Sequence, residues 1–125
     1  MGLDNYASRS PGDVSLTAAD QAAFEGVGLC GGIMSGADSS FRGKVYWDLV
    51  FEVTEVSLLD EWIPPQTVIL MAEALGRHAP EELAAINDRV SGYSSQPPTS
   101  PVEMANLQRF FAICAERRLG IVGWS

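Results

Sequence analysis

The chain has 125 residues, a formal net charge of −8 and 46% hydrophobic residues. This length predicts a single domain over residues 1–125, and the composition excludes a disordered chain. Acidic groups dominate residues 1–62, which carry ten acidic and three basic side chains. The negative charge argues against direct binding to nucleic acid or to an anionic membrane, because phosphate groups would be repelled. No apolar run approaches the roughly 20 residues of a membrane span.

The first residues and the cysteines bear on localisation. The segment MGLDNY has neither the basic start nor the apolar stretch of a signal peptide, so we expect a cytoplasmic protein. Cys30 and Cys114 fit a reducing compartment. Together with the single histidine, His78, they supply too few ligands for a zinc site, so the sequence predicts no metal and no cofactor.

A glycine-rich loop over residues 26–44 is the first distinctive segment, with six of the chain's twelve glycines. Arg42 and Lys44 are the only basic residues between Arg9 and Arg77. Glycines let backbone N–H groups approach a ligand and serine hydroxyls add donors, which suits a bound anion such as phosphate. The predicted ligand-binding residues are Cys30, Gly31, Gly32, Ser35, Ser39, Ser40, Arg42, Gly43 and Lys44.

An alternative for this loop stays open: a glycine-rich turn whose Arg42 and Lys44 pair with the surrounding acids. The loop is not a Walker motif, since Gly43-Lys44 is followed by valine rather than serine or threonine. No catalytic residue is predicted, because Ser39 and Ser40 have no obvious base to activate them.

Residues 45–56 fit two patterns. Apolar side chains alternate as in a strand, while Tyr46, Leu49 and Val50 follow a helical spacing. If residues 43–55 are helical, Arg42 and the following lysine lie at the positive end of the helix dipole. The chain would then expose Trp47 and Phe51 one turn apart, and we expect both in a contact between copies of the chain. The alternative is a strand, or a helix buried on all sides, which would place both residues in the core.

The rest of the chain predicts helices beginning at Pro64 and Pro80 and a third beginning at Ser100, which serves as its N-cap with Pro101 in the first turn. On this last helix we expect Phe111 to be more buried than Phe110. A short strand follows Gly120. The expected fold is α+β, with three or four helices and a small β-sheet formed by the N-terminal segment and the C-terminal strand.

Several motifs resemble a family of small proteins found in phages and bacteria. They are MGLDNY, LCGG with Ser35, SFRGKVY at 40–46, EVT at 52–54, IPPQTV at 63–68 and the closing GIVGW. The resemblance covers nearly the whole chain and implies a phage-type setting in a bacterial cell, but no catalytic residues. It favours a helix at 43–55, because members of the family carry polar residues near the positions of Trp47 and Phe51.

These features predict a non-enzymatic, homo-oligomeric binding protein that captures a small anionic, nucleotide-like ligand. In the implied setting, such a protein would sequester a host defence signal. One alternative is an acidic inhibitor that binds a host protein, for which the loop would matter little. Another is a nucleotide-degrading enzyme that uses Arg42 and Lys44 on phosphates.

Overall fold

In the computed structural model, described for residues 3–11, 16–29, 39–90 and 100–124, five helices accompany a four-stranded sheet. The α+β prediction is confirmed, and the helix beyond the predicted number is a six-residue one opened by a Thr17–Asp20 capping box. In chain order the elements are β1 (Asp4–Ser8), α1 (Ala18–Ala23), β2 (Ser40–Arg42), α2 (Gly43–Thr54), β3 (Trp62–Ile63), α3 (Pro65–Gly76), α4 (Pro80–Val90), α5 (Pro101–Arg117) and β4 (Gly120–Trp124).

The sheet is antiparallel, in the order β2-β1-β4-β3. Its centre is the predicted pair of N-terminal and C-terminal strands. In this register Asp4 lies opposite Arg42 on one side and opposite Trp124 on the other. The two edge strands have three and two residues, which is too short for alternation to identify them from sequence.

The two faces of the sheet differ, because cross-strand partners share a face and successive residues alternate. The inner face carries Ala7, Phe41 and Ile121, all completely buried in the core. The outer face, as we call the opposite one, carries Asp4, Tyr6, Arg42, Trp62, Val122 and Trp124.

Residues 43–54 form a helix, which decides between the two patterns. Tyr46, Leu49 and Val50 are buried in the core, whereas Phe51 is 56% exposed. A strand buried on the alternating residues would have covered Phe51. The helix ends at Glu55, whose left-handed backbone (φ 61°) stops it.

Helix α5 is the central core element, packed against α3 and α4. The expected contrast between its two adjacent phenylalanines is wrong, because Phe110 and Phe111 are both completely buried. The ring of Phe110 lies 5.0 Å from that of Phe24 and 4.9 Å from that of Phe41, measured between centroids. Neither partner is near in sequence, so helical periodicity could not show that this side of α5 is also covered.

Candidate functional site

The predicted anion loop is only partly within the described residues. Cys30, Gly31, Gly32 and Ser35 lie outside them, and of the predicted binding residues the structure describes those within the loop's last residues, 39–44. These residues form β2 and the first turn of α2. The two basic side chains were predicted at a helix start on the condition that residues 43–55 are helical, and the structure confirms this position.

Arg42 occupies the N-cap position of α2, and Lys44 lies in its first turn. That turn contains no acidic side chain, and no side chain caps it. The helix dipole and both cations therefore act in the same direction at this end of α2. One of the terminal N–H groups already has a partner, since Gly43 donates to the Leu3 carbonyl at 2.7 Å.

The two cationic side chains differ in their contacts. The Nε of Arg42 is buried and makes no hydrogen bond to any described residue, although the side chain as a whole is partly exposed. The Nζ of Lys44 lies 5.9 Å from the ring centroid of Trp47, in a cation–π contact. Arg42 thus carries a donor that lacks an acceptor among the described residues, a costly arrangement for a buried polar atom.

Ser39 and Ser40 are both buried at the sheet edge. The Ser39 carbonyl accepts a hydrogen bond from the Ala7 N–H at 3.0 Å, and Ser40 is the cross-strand partner of Tyr6. Their burial leaves the two hydroxyls little access to solvent.

Gly43 has a packing role that the sequence did not indicate. A Cβ at this position would lie 2.0 Å from the Oδ1 of Asn5 and 2.7 Å from Leu3. Asn5 is completely buried and donates from its side-chain amide to the Leu58 carbonyl at 3.0 Å, while its Oδ1 has no hydrogen-bond partner among the described residues. Only glycine fits where α2 begins against β1.

A groove on the outer face was not predicted. It has a volume of about 600 Å³. Its described lining residues are Tyr6, Pro11, Leu59, Glu61, Trp62, Val122, Gly123 and Trp124. The indole of Trp62 lies over Gly120, where a Cβ would come within 2.4 Å of its ring. The aromatic residues are far apart in sequence, and only the strand order brings them to one face.

A second, smaller cavity of about 290 Å³ lies beside α2, lined by Trp47, Asp48, Phe51, Ser57 and Leu59. Phe51 and Leu59 are more than half exposed, and Trp47 is partly buried against the core. The alternative that both aromatic residues lie in the core is therefore wrong for Phe51.

None of the helices in the described ranges is long and apolar enough to cross a membrane. Comparisons with protein-family models, with curated proteins and with solved structures find no match for this chain.

Proposed function

We propose that this protein is a non-enzymatic binding protein that captures a small anionic ligand at the start of α2. The observation that carries the proposal is the N-cap position of Arg42, whose buried Nε makes no hydrogen bond to a described residue. Because the side chain as a whole is partly exposed, a shift of the guanidinium would let a phosphate or carboxylate oxygen accept from this N–H. A charge-assisted hydrogen bond of this kind is stronger than one between neutral groups.

The electrostatics of this end of α2 favour an anion over a cation. Lys44 adds a second positive charge, and the first turn of the helix contributes the positive end of its dipole and carries no acidic side chain of its own. The nearest acidic residue in the sheet is Asp4, the cross-strand partner of Arg42, which leaves Lys44 and the helix dipole as the surplus of positive charge. These charges stand in a half of the chain that is otherwise acidic. An incoming anion would therefore be drawn to this position rather than to its surroundings.

The nucleotide character of the ligand is proposed from chemistry and setting together. The ring of Trp47, already in contact with Lys44, offers a flat face beside this cation on which a base could stack. The phage-type setting implied by the sequence resemblance would place the protein in a bacterial cytoplasm, where capture of a nucleotide signal would blunt host defence.

Analysis of the protein purified from its own cells tests capture. We expect denatured protein to release a phosphate-containing compound that absorbs in the ultraviolet, identified by mass spectrometry. Nucleoside mono-, di- and cyclic phosphates incubated with the protein should be recovered unchanged. Their conversion would instead assign degradation, and failure to retain any of them would refute capture.

We also propose that copies of the chain associate through Trp47 and Phe51. The support is the partly apolar cavity beside α2, where Phe51 and Leu59 expose 56% and 55% of their surface. Interface cores are enriched in aromatic side chains, and a two-fold dimer would cover this patch with its own copy.

A further inference from the structure

We propose that the outer-face groove binds the quaternary ammonium group of a small solute. This second site has a ligand of opposite charge to the one proposed at α2, and the inference does not rest on that proposal. Arg42 and Trp124 are cross-strand partners of Asp4 on opposite sides, which separates their Cα atoms by two strand spacings, about 10 Å.

Three aromatic residues are among the described lining residues of the groove, and aromatic rings attract cations. Trp62 is held across Gly120, where no residue with a Cβ would leave room for the indole. Trp124 is 53% exposed, whereas Tyr6 is almost fully buried, so the two residues differ in their exposure to solvent. The negative faces of aromatic rings attract cations within about 6 Å, most strongly for tryptophan.

The charge of the groove has the matching sign. Glu61 is the one charged residue among its described lining residues. An anion would be repelled by this carboxylate and by the net charge of −8, whereas a cation would be attracted by both. Among its described lining residues the groove thus combines three aromatic side chains with one carboxylate, the pattern of sites that recognise methylated ammonium groups.

The lining favours a quaternary ammonium over a primary one. A primary ammonium is a strongly hydrated charge with three N–H donors, and it requires several acceptors when it leaves water. A quaternary ammonium has no N–H donor, so aromatic and aliphatic surfaces such as Leu59 and Val122 can replace its hydration. The volume of about 600 Å³ is in the range of small-molecule sites.

Titration with choline tests the proposal, with 3,3-dimethylbutanol as the neutral compound of the same shape. Isothermal calorimetry and tryptophan fluorescence should show saturable binding of choline, at least about 10-fold tighter than binding of the alcohol, since only choline has the charge. Equal binding of the two compounds, or no saturable binding of choline, would overturn the proposal.

Variants locate the site. Trp124→Ala should weaken choline binding by about 3- to 30-fold, the range of one cation–π contact. Glu61→Gln, which keeps the shape of the side chain, should weaken choline but not the alcohol. Both residues are exposed, so both variants should fold, as checked by circular dichroism. Undiminished choline affinity in both folded variants would refute the assignment of the groove.

Two controls separate this site from the others. Trp47→Phe removes the tryptophan outside the groove and should leave choline binding unchanged, as should Arg42→Ala at the proposed anion site. Loss of choline binding in Arg42→Ala would contradict two separate sites. A peptide carrying trimethyl-lysine, titrated in parallel, should bind no more tightly than choline; tighter binding would refute a free solute as the ligand.

Discussion

Asp20 accepts a hydrogen bond at 2.8 Å from the Nε of Arg117, across 97 positions of sequence. Arg9 donates to both oxygens of the same carboxylate, at 2.7 and 2.8 Å, and the Thr17 N–H donates to Oδ2. The carboxylate is fully buried, so one side chain joins the end of β1, the start of α1 and the end of α5. The hydrogen bonds from Arg9 hold the pKa of Asp20 well below its usual range.

Asp20→Asn is expected to lower the free energy of unfolding at pH 7 by about 2–3 kcal/mol, as measured by urea denaturation. Breaking a fully buried ion pair costs about 3–5 kcal/mol. The expected loss is smaller here because both arginines are partly exposed, so that water screens the pairs. Asp88→Asn, an exposed change on α4, is the control and should change stability little. A loss no larger than in this control would contradict the structural role of Asp20.

The same carboxylate predicts a pH dependence. Its pKa is lower in the folded chain than in the unfolded one, so its contribution is fully present above the unfolded value, about 3.9, and is lost as the pH falls towards the folded value. The stability difference between wild type and Asp20→Asn should therefore shrink below about pH 4. A difference that stays constant down to pH 2.5 would count against a depressed pKa.

Gly43→Ala is expected to destabilise the protein by about 2–4 kcal/mol, because the added Cβ would overlap Asn5 and Leu3, both buried. Gly76→Ala is a matched control at the end of α3, where a Cβ would meet nothing within 4 Å. It should stabilise the helix by about 0.5–1 kcal/mol. Thermal unfolding of both variants distinguishes packing at Gly43 from a role confined to ligand contact, for which Gly43→Ala would leave stability unchanged.

Arg42→Ala is expected to weaken nucleotide binding by about 1.5–3 kcal/mol, roughly 10- to 150-fold, the value of a charge-assisted hydrogen bond. Its stability should stay within about 0.5 kcal/mol of wild type, because the lost Nε has no hydrogen-bond partner among the described residues. Equilibrium dialysis measures binding, and Arg89→Ala, an exposed change at the end of α4, is the control. Equal affinity in Arg42→Ala and wild type would refute the anion site.

Local signals in the sequence were enough for much of the fold. Ser100 accepts a hydrogen bond from the Glu103 N–H at 3.1 Å, as its N-cap position predicted. The carboxylate of Glu103, however, accepts from the Tyr46 hydroxyl, a partner 57 positions away. A helix cap depends on residues within four positions of each other, so it can be predicted from sequence. A hydrogen bond between residues that only tertiary packing brings together cannot be predicted in this way.

The same limit applies to the candidate sites. The isolation of Arg42 and Lys44 in an acidic half was visible in the sequence, but the periodicity of residues 45–56 fitted a strand as well as the helix that the structure shows there. The outer-face groove was not visible, because Tyr6, Trp62 and Trp124 come from three strands whose order periodicity does not determine. The pairing of β1 with β4 was predicted, but the two-residue strand β3, which carries Trp62, was not.

Phe51→Lys is expected to convert an oligomer into a smaller, folded species. Phe51 is exposed and outside the core, so the charge should not disturb folding, whereas in an interface it would be buried without a partner. Sedimentation velocity of wild type, Phe51→Lys and the Trp47→Glu, Phe51→Lys double variant measures this. Leu70→Lys is the control, since Leu70 on α3 is 64% exposed away from the cavity and its variant should sediment like wild type. A wild type that is monomeric at tens of micromolar, or a Phe51→Lys variant that sediments unchanged, would contradict association through α2.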